Sequence, residues 1–262
     1  KVDDVIKATK ALKEAGLKVV YHMMPGLPGM TPETDVRDFK RLFEEEDFQP
    51  DMLKLYPTLL VKGSPLSRNP GDFVPYDTET AANVVADLKE MVPPYVRIQR
   101  IQRDIPKPQI IAGVMNSNLR QYARRELKNR GKKCKCINCR ELWRAQIDPS
   151  TAELKEIEYK ANGGKELFIS YESGSKLLAY VRLRLDDNAT VRELKVTGQS
   201  ANIGKTSTGV QHMGLGSKLM KIAEEKSKNY DKIRVTHGAG TRLYYEKLGY
   251  NLEEYYMVKE LA

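Results

Sequence analysis

Six consecutive residues, Gln211, His212, Met213, Gly214, Leu215 and Gly216, have the types and spacing of a loop that binds phosphate. The two glycines let the backbone approach a ligand closely, and Ser217 and Lys218 continue into a helical pattern. The first turn of such a helix carries unpaired N–H groups and the positive end of the helix dipole. Residues 211–218 are therefore predicted to bind phosphate, and a pyrophosphate would fit, although an ordinary glycine-containing loop is the alternative.

Three side chains near this loop in the sequence could move protons. Glu193 lies on a predicted strand before the loop, where it is a candidate general base, although a glutamate on a strand is often simply solvated. Tyr244 and Tyr245 open a short helix after the loop. A phenol with a pKa near 10 can donate a proton at neutral pH, whereas the alternative places both rings in the core.

Cys134, Cys136 and Cys139 have a spacing that suits a metal ion. Thiolates two and three residues apart can converge on one ion, as Zn²⁺ prefers, and the neighbouring lysines favour the thiolate form. Three unrelated cysteines are the alternative. No fourth ligand is close in sequence, so a remote residue or water would complete the site. The spacing differs from the CxxxCxxC pattern that holds an iron–sulfur cluster in radical-SAM enzymes.

Positive charge is concentrated in two segments of this 262-residue chain, whose formal net charge is +9. Residues 97–107 carry four cations against one aspartate, and residues 120–144 carry ten against two glutamates. Solvated helix faces are one explanation, but so local an excess indicates a polyanionic partner such as RNA. The candidate RNA-binding residues are Arg97, Arg100, Arg103, Lys107, Arg120, Arg124, Arg125, Lys128, Lys132 and Lys133.

Composition also limits the class of protein. The length allows one large or two ordinary domains with a sound core. No apolar run approaches a membrane span, and no signal-peptide pattern is present. Three cysteines within six positions do not form a disulfide framework, so a reducing, cytoplasmic setting and no membrane partner are expected.

The first half of the chain alternates predicted helices with predicted strands. Helices are expected at Val2–Ala15, from Thr31 to about Phe48, at Thr78–Met91 and at Asn118–Arg130, with strands at Leu17–Met24 and Asp51–Tyr56. Gly63–Tyr76 is expected to be a surface loop, and Arg97–Pro108 an extended basic segment. Strands separated by such helices imply parallel βαβ units. These units are too few for a complete barrel, so we expect a barrel whose first half is missing.

Two polar residues fall near the carboxyl ends of the predicted strands. His22 and Lys54 are in that position, and barrels of this type keep their active sites at that end. Lys54 is therefore a catalytic candidate. For His22, between a strand and two methionines, packing is the alternative.

The order of elements in the second half resembles the GNAT-type N-acetyltransferase fold. A strand at Val191–Gly198, the glycine loop, a helix, a strand at Lys232–His237 and a tyrosine-bearing helix ended by Gly249 follow one another. In that family the loop holds the pyrophosphate of acetyl-CoA. The resemblance implies that Leu194, Lys195 and Val196 offer backbone groups to the pantetheine arm, and that the phenol of Tyr245 protonates the leaving thiolate.

Seven stretches together resemble one family, the catalytic subunit of Elongator (the elongator protein 3 family). They are HMMPGLPG, DMLKLYPTLLVKG, RIQRDIPKP, CKCINCRE, VRELKVTG, QHMGLGSKLM and GAGTRLYYEKLGY, and they are spread over nearly the whole chain. The resemblance implies a radical-SAM barrel joined to an acetyltransferase domain. Together these would install a carboxymethyl-type group on C5 of the wobble uridine of tRNA, using acetyl-CoA and a 5′-deoxyadenosyl radical.

The resemblance also implies the domains, ligands and partners. We expect an α/β protein with the C-terminal part of the barrel at 1–96, a basic linker with a zinc-binding cysteine segment at 97–141 and a GNAT-like α+β domain at 142–262. Acetyl-CoA would contact residues 194–196 and 211–218 and both tyrosines, and Zn²⁺ the three cysteines. Without the cluster motif, S-adenosylmethionine and [4Fe-4S] are expected only in the intact protein. The anticodon stem-loop of tRNA is the expected partner, and self-association or accessory subunits stay open.

Two other functions remain open from the sequence. The chain would be a lysine N-acetyltransferase acting on a protein such as a histone, if the acceptor groove takes a peptide. It would be a scaffold that binds CoA and RNA without turnover, if neither tyrosine takes part in chemistry.

Overall fold

The structure is a computed structural model that describes residues 1–142, 147, 151–198 and 214–261. The chain divides into two compact units, each with most of its contacts within itself. The large-sheet unit comprises Lys1–Val19, Glu46–Phe48 and Arg140–Ala262, and the three-strand unit comprises Val20–Glu45 and Gln49–Cys139. The α/β class expected from the sequence is confirmed, whereas the three-domain assignment stays a prediction.

Three of the four helices predicted in the first half of the chain have bounds within one residue of those expected. The helices of the described residues are α1 (Val2–Glu14), α2 (Pro32–Glu44), α3 (Pro65–Arg68), α4 (Thr78–Met91), α5 (Leu119–Asn129), α6 (Ile137–Arg140), α7 (Leu215–Lys226) and α8 (Arg242–Glu246). The strands are β1 (Val20–Met23), β2 (Met52–Leu55), β3 (Leu60–Val61), β4 (Arg97–Ile101), β5 (Ile110–Ala112), β6 (Glu153–Ala161), β7 (Gly164–Ser173), β8 (Lys176–Leu185), β9 (Ala189–Val196), β10 (Lys232–Thr236), β11 (Asn251–Glu253) and β12 (Tyr256–Glu260).

In the three-strand unit a parallel sheet has the order β1-β2-β4. Its long helices start at capped positions: Thr31 accepts a hydrogen bond from the Thr34 amide at 3.3 Å, and Asp77 accepts one from the Thr80 amide at 2.7 Å. The side chains of Leu53 and Ile98 are fully buried, as are the apolar faces of α2 and α4. Burial of these faces positions the strand ends where Lys54 lies.

Two predicted boundaries of this unit were wrong. Residues 63–76, expected to be a loop, include the short helix α3, because Ser64 accepts a hydrogen bond from the Ser67 amide at 3.1 Å and Pro65 occupies the first turn. Helix α2 ends at Glu44 rather than near Phe48, and its end is followed by an extended residue, Glu45.

The large-sheet unit is built on a seven-stranded sheet of order β11-β12-β10-β9-β8-β7-β6. Strand β10 runs parallel to β9, and the other neighbouring pairs are antiparallel. Alternate side chains of the central strands form one apolar core with α7, which packs on β7, β8 and β9. The core includes Ile169, Val181, Val191, Leu219 and Val235.

The alternate positions of the same strands carry buried charge. The carboxylate of Glu166, 1% exposed, accepts hydrogen bonds from Arg184 at 3.2 Å and from Arg192 at 3.1 Å. Lys13 of α1 brings its ammonium to 3.7 Å from the same carboxylate. These contacts attach α1 and the residues after it to this sheet.

No helix among the described residues is long and apolar enough to cross a membrane.

Candidate functional site

The N-terminus of α7 is an open helix end. Gly214 occupies the N-cap position with φ +66°, a left-handed conformation that favours glycine, and among the described residues no side chain caps the helix. The amides of the first turn therefore have no acceptor within the helix. Of the eight residues predicted to bind phosphate, Gly214, Leu215, Gly216, Ser217 and Lys218 form this helix end. Gln211, His212 and Met213 lie outside the described residues.

Gly216 brings this helix end close to two other elements. A Cβ atom at Gly216 would lie 2.8 Å from the hydroxyl of Tyr244 and 3.6 Å from a methyl group of Val196. The helix, the strand β9 and the tyrosine helix α8 thus meet at this glycine. Any larger residue would fill the space between them.

Strands β9 and β10 separate beside this helix end. Their parallel pairing covers Ala189, Thr190 and Val191, and the register ends there. On its other side β9 continues to pair with β8 as far as Val196, through a bulge after Val191. Within the part of the chain that the structure describes, the outer backbone edge of residues 193–196 has no strand partner. The Thr197 amide donates to the Leu178 carbonyl of β8, so by alternation the backbone groups of Lys195 also face β8, whereas those of Leu194 and Val196 face the outer edge. Of the three residues predicted to contact the arm, Leu194 and Val196 are therefore the two whose backbone groups could pair with an extended ligand.

The two tyrosines of α8 differ in environment. Their rings meet edge to face with centroids 5.2 Å apart. Tyr245 is buried in the core, where desolvation, with a smaller effect from Tyr244, raises its pKa to about 12. Tyr244 is partly exposed, and its hydroxyl lies at the Gly216 position. The structure thus brings both predicted tyrosines to the helix end, with one phenol at its mouth and the other behind it.

Glu193 is held by two cations. Its carboxylate lies 3.0 Å from the Lys18 ammonium and 3.0 Å from the Arg182 guanidinium. Burial opposes ionisation, but the charges of Arg182 and Lys18 outweigh it and hold the pKa of Glu193 below its ordinary value. A carboxylate held in this way accepts a proton poorly at neutral pH, so its surroundings do not favour the predicted role of general base.

Lys195, next but one along β9, has a defined partner. Its ammonium lies 2.9 Å from the carboxylate of Glu141, which is itself largely buried. Glu141 also forms a parallel bridge with Leu177 at the start of β8. The side chain of Lys195 therefore has a defined ion-pair partner, and its backbone groups face β8 rather than the outer edge of β9.

In the three-strand unit Lys54 lies in a row across the sheet. Its Cα registers with that of His22 on one side and that of Arg100 on the other. Partners in parallel register point to the same face of a sheet. Lys54 is half-buried, and His22 and Arg100 are exposed, so the row presents polar and cationic groups.

The three cysteines converge. The Sγ atoms of Cys134, Cys136 and Cys139 all lie within 4.8 Å of one another. This separation suits thiolates around one tetrahedral Zn²⁺ at Zn–S distances of about 2.3 Å. Among the described residues, no histidine, further cysteine or carboxylate joins the group as a fourth ligand. The donor set therefore fits a zinc ion bound by three thiolates.

The electrostatics of the cluster concentrate negative charge on Cys139. Hydrogen bonds from the thiols of Cys134 and Cys136 lower the pKa of Cys139 to about 2, and the charges of Lys89 and Arg120 add to this effect. Hydrogen bonding to Cys136 and Cys139, together with burial, raises the pKa of Cys134. Sequence reasoning missed Lys89, although a lysine four residues after Val85 on an apolar helix face was a visible signal.

Most of the predicted RNA-binding cations are at the surface. Arg97 and Arg120 are half-buried, and Arg120 donates to the backbone carbonyl of Gln99 at 3.2 Å. The exposed members are Arg100, Arg103, Lys107, Arg124, Arg125, Lys128, Lys132 and Lys133. Several have local partners: Arg100 pairs with Asp104 at 3.0 Å, and Lys132 with Glu90 at 2.7 Å.

Comparison with known proteins gives three consistent matches. Residues 50–129 match the family model described as the radical SAM C-terminal domain. A tRNA uridine(34) acetyltransferase of Methanocaldococcus jannaschii is 42% identical, over 99% of this chain and 53% of that protein. Elongator complex protein 3 of Saccharomyces cerevisiae is 38% identical, over 99% of this chain and 51% of that protein.

A solved structure agrees. The archaeal Methanocaldococcus infernus Elp3 with an N-terminal deletion (1-46) has a TM-score of 0.92 at 41% identity, over 100% of this chain and 67% of that one. The chain thus spans about half the length of the curated relatives described above.

Proposed function

The chain belongs to the elongator protein 3 family, and from that premise we propose that it takes part in the acetyl-CoA-dependent modification of a tRNA wobble uridine at C5. In this proposal the large-sheet unit is a GNAT-type acetyltransferase domain and the three-strand unit is the C-terminal part of a radical-SAM barrel. The match of residues 50–129 to the radical SAM C-terminal domain supports the second assignment. The names of the relatives support the reaction class.

One observation carries the coenzyme assignment: β9 and β10 separate beside an uncapped helix end. The free edge of residues 193–196 would pair with the pantetheine arm, and the amides after Gly214 would receive the diphosphate. Both features lie against Gly216, so one ligand could use them together. Acetyl-CoA has a diphosphate and an extended amide arm joined in that order, which is why it fits better than a simple nucleotide.

The two tyrosines would act where the sulfur of the coenzyme leaves. When water adds to the thioester carbonyl and the C–S bond breaks, the acetyl group leaves as acetate and the electron pair of that bond goes to sulfur. We assign to Tyr245 the proton that this thiolate takes up, and the proton that the water loses returns to the phenol through solvent. The phenol is protonated at neutral pH, as a proton donor must be, although desolvation raises its pKa to about 12 and makes it a weaker acid than a free tyrosine. Tyr244, whose hydroxyl lies at the helix mouth, would instead contact the bound coenzyme.

The remaining groups would hold the metal and the RNA. Cys134, Cys136 and Cys139 would bind Zn²⁺ as a structural ion. The exposed cations of residues 97–133 would contact tRNA phosphates, and the row at Lys54 would face an anionic group of the substrate. These three cysteines lack the CxxxCxxC spacing that holds a [4Fe-4S] cluster for chemistry on S-adenosylmethionine.

Acetyl-CoA titration by calorimetry tests the coenzyme site. Gly216→Val should weaken binding about 10-fold to 100-fold, because its side chain fills the space between Tyr244 and Val196 and such overpacking costs about 1–3 kcal/mol. Gly240→Ala is the matched control, since a Cβ there meets nothing within 4 Å. Equal affinity of the Gly216→Val and Gly240→Ala variants, with both folded by circular dichroism, would place the coenzyme elsewhere.

Release of free CoA thiol tests the acceptor class. Thioester cleavage should rise when tRNA is added, and tRNA affinity should fall steeply with salt as phosphate contacts release counterions. A histone peptide should not gain an acetyl group at a comparable rate. Peptide acetylation without any response to tRNA would instead identify a lysine acetyltransferase, and binding of both ligands without thiol release would identify a scaffold.

A further inference from the structure

Lys89 is a buried lysine beside the cysteine cluster. It lies on α4 with 2% of its surface exposed, and its ammonium donates a hydrogen bond to the Sγ of Cys139 at 3.7 Å. Within the described part of the chain this sulfur is the one hydrogen-bond acceptor of that ammonium. Fifty positions separate the two residues in sequence, so the contact depends on the packing of α4.

The position of Lys89 is fixed by its helix. Val85 is one turn before it, Val92 almost one turn after it, and Leu88 is adjacent, and all three side chains are buried. The aliphatic stem of the lysine therefore packs within the unit, and the charged end reaches the sulfur. A rigid helix is a precise support for such a contact.

A buried ammonium needs a counter-charge. Removing it from water is costly, and a neutral thiol compensates poorly, whereas a thiolate compensates well. Three thiolates around one divalent cation leave a net charge of −1. One ammonium makes the whole group neutral, and charge-assisted N–H···S bonding directs it to Cys139.

We propose that Lys89 is the counter-charge and positioning residue of the three-thiolate metal site. It neutralises the surplus thiolate charge, orients Cys139 and thereby strengthens metal binding. This inference rests on the metal site of the proposed function. Substituting a residue that hydrogen-bonds to a metal ligand typically weakens metal affinity about 10-fold to 100-fold.

The test compares metal affinity in two lysine variants of the full chain. Lys89→Met removes the charge and the donor while keeping an unbranched stem, and should weaken Zn²⁺ binding about 10-fold to 100-fold in a chelator competition. Lys40→Met is the matched control, because Lys40, on α2 of the same unit, is 59% exposed and pairs with Glu44 at 2.8 Å. Its zinc affinity should stay within about 2-fold of the unchanged protein.

A spectroscopic signature separates this role from packing. In the Co²⁺-loaded protein, loss of the N–H···S bond raises the energy of the Cys139 lone pairs. The sulfur-to-cobalt charge-transfer band should therefore move to longer wavelength in Lys89→Met and stay in place in Lys40→Met. Lys89→Gln, a neutral donor, is the second variant if Lys89→Met does not fold, and it should also bind zinc more weakly.

Three outcomes can be told apart. Weaker zinc binding with a shifted band supports the inference. Unchanged affinity and an unchanged band in a folded Lys89 variant overturn it, while the metal site itself stands. Failure of the unchanged protein to bind Zn²⁺ or Co²⁺ overturns the metal site and this inference with it, without affecting the coenzyme assignment.

Discussion

Replacing Glu166 by glutamine should destabilise the large-sheet unit severely. Glu166 is the carboxylate shared by Lys13, Arg184 and Arg192, and all four side chains are at most 1% exposed. Glutamine keeps the shape of the side chain but removes its charge. Three cations would then remain buried with less compensation, and breaking such a buried pair from one side costs about 3–5 kcal/mol.

Other acceptors place the expected loss near the lower end of that range. Arg184 also donates to Asp186 at 2.5 Å and to the Ala161 carbonyl at 2.8 Å, and Arg192 to the Leu17 carbonyl at 2.7 Å. We therefore expect a loss of about 3 kcal/mol, which lowers the melting temperature of a unit of this size by about 10 °C. Urea unfolding followed by circular dichroism measures the free energy directly.

The control for this substitution lies on the neighbouring strand. Glu158, 54% exposed, pairs with Lys165 at 3.4 Å, so Glu158→Gln should cost no more than about 0.5 kcal/mol. A second check is the double variant Lys13→Met/Glu166→Gln, which also removes one of the three buried cations. Its loss in free energy of unfolding should be smaller than the sum of the two single losses. A Glu166→Gln loss below about 1 kcal/mol would refute the reasoning.

Three further predictions concern the coenzyme site and its strand. Tyr245→Phe should slow thioester cleavage about 100-fold or more, as expected for loss of a general acid, and leave acetyl-CoA affinity unchanged in calorimetry. Gly214→Ala should cost about 1–2 kcal/mol in thermal unfolding, because its φ of +66° is strained for alanine. Glu193→Gln should reduce stability above the ordinary glutamate value of 4.5, where the lowered pKa keeps the carboxylate ionised, and the difference should vanish as pH falls through that lowered pKa in acid-unfolding curves.

Each of these has its own control. Tyr250→Phe should leave turnover unchanged, because its hydroxyl bonds to Glu224 at 2.9 Å, and an equal loss in both phenylalanine variants would remove Tyr245 from the mechanism. Gly214→Asn should lose less stability than alanine, since asparagine tolerates the left-handed region. A stability difference for Glu193→Gln that persists unchanged at the lowest pH would contradict the ion pairing with Lys18 and Arg182.

Local pattern predicted the elements well because local chemistry decides them. Helix α4 occupies Thr78–Met91 as the sequence predicts, since Asp77 caps its first turn and a proline follows its end. The basic segment after residue 97 is a strand, β4, in its first five residues. The short helix at Pro65–Arg68 was not predicted, however, because the segment is rich in proline, glycine and serine. One N-cap hydrogen bond to Ser64 is present at its start.

The predicted chemistry was only partly visible along the chain. The cysteines could be grouped because they are five positions apart at most, and their Sγ atoms do converge. The state of Glu193 could not be foreseen, because Lys18, 175 positions away, is one of the two cations that hold its carboxylate. The attachment of α1 to the large sheet through Lys13 was equally hidden, since a single charged residue on a helix usually faces solvent.

The sequence by itself determined the family, the elements and the residue types of the phosphate-binding helix end and the cysteine cluster. Glycine, cysteine and capping residues act on their near neighbours, so their spacing carries that information. Only the tertiary structure decided the separation of β9 from β10 beside Gly216, the burial of Tyr245 behind Tyr244, and the contact between Lys89 and Cys139. These depend on packing between distant segments, where the energy of a buried charge or an unpaired strand edge is set by whatever the fold brings beside it.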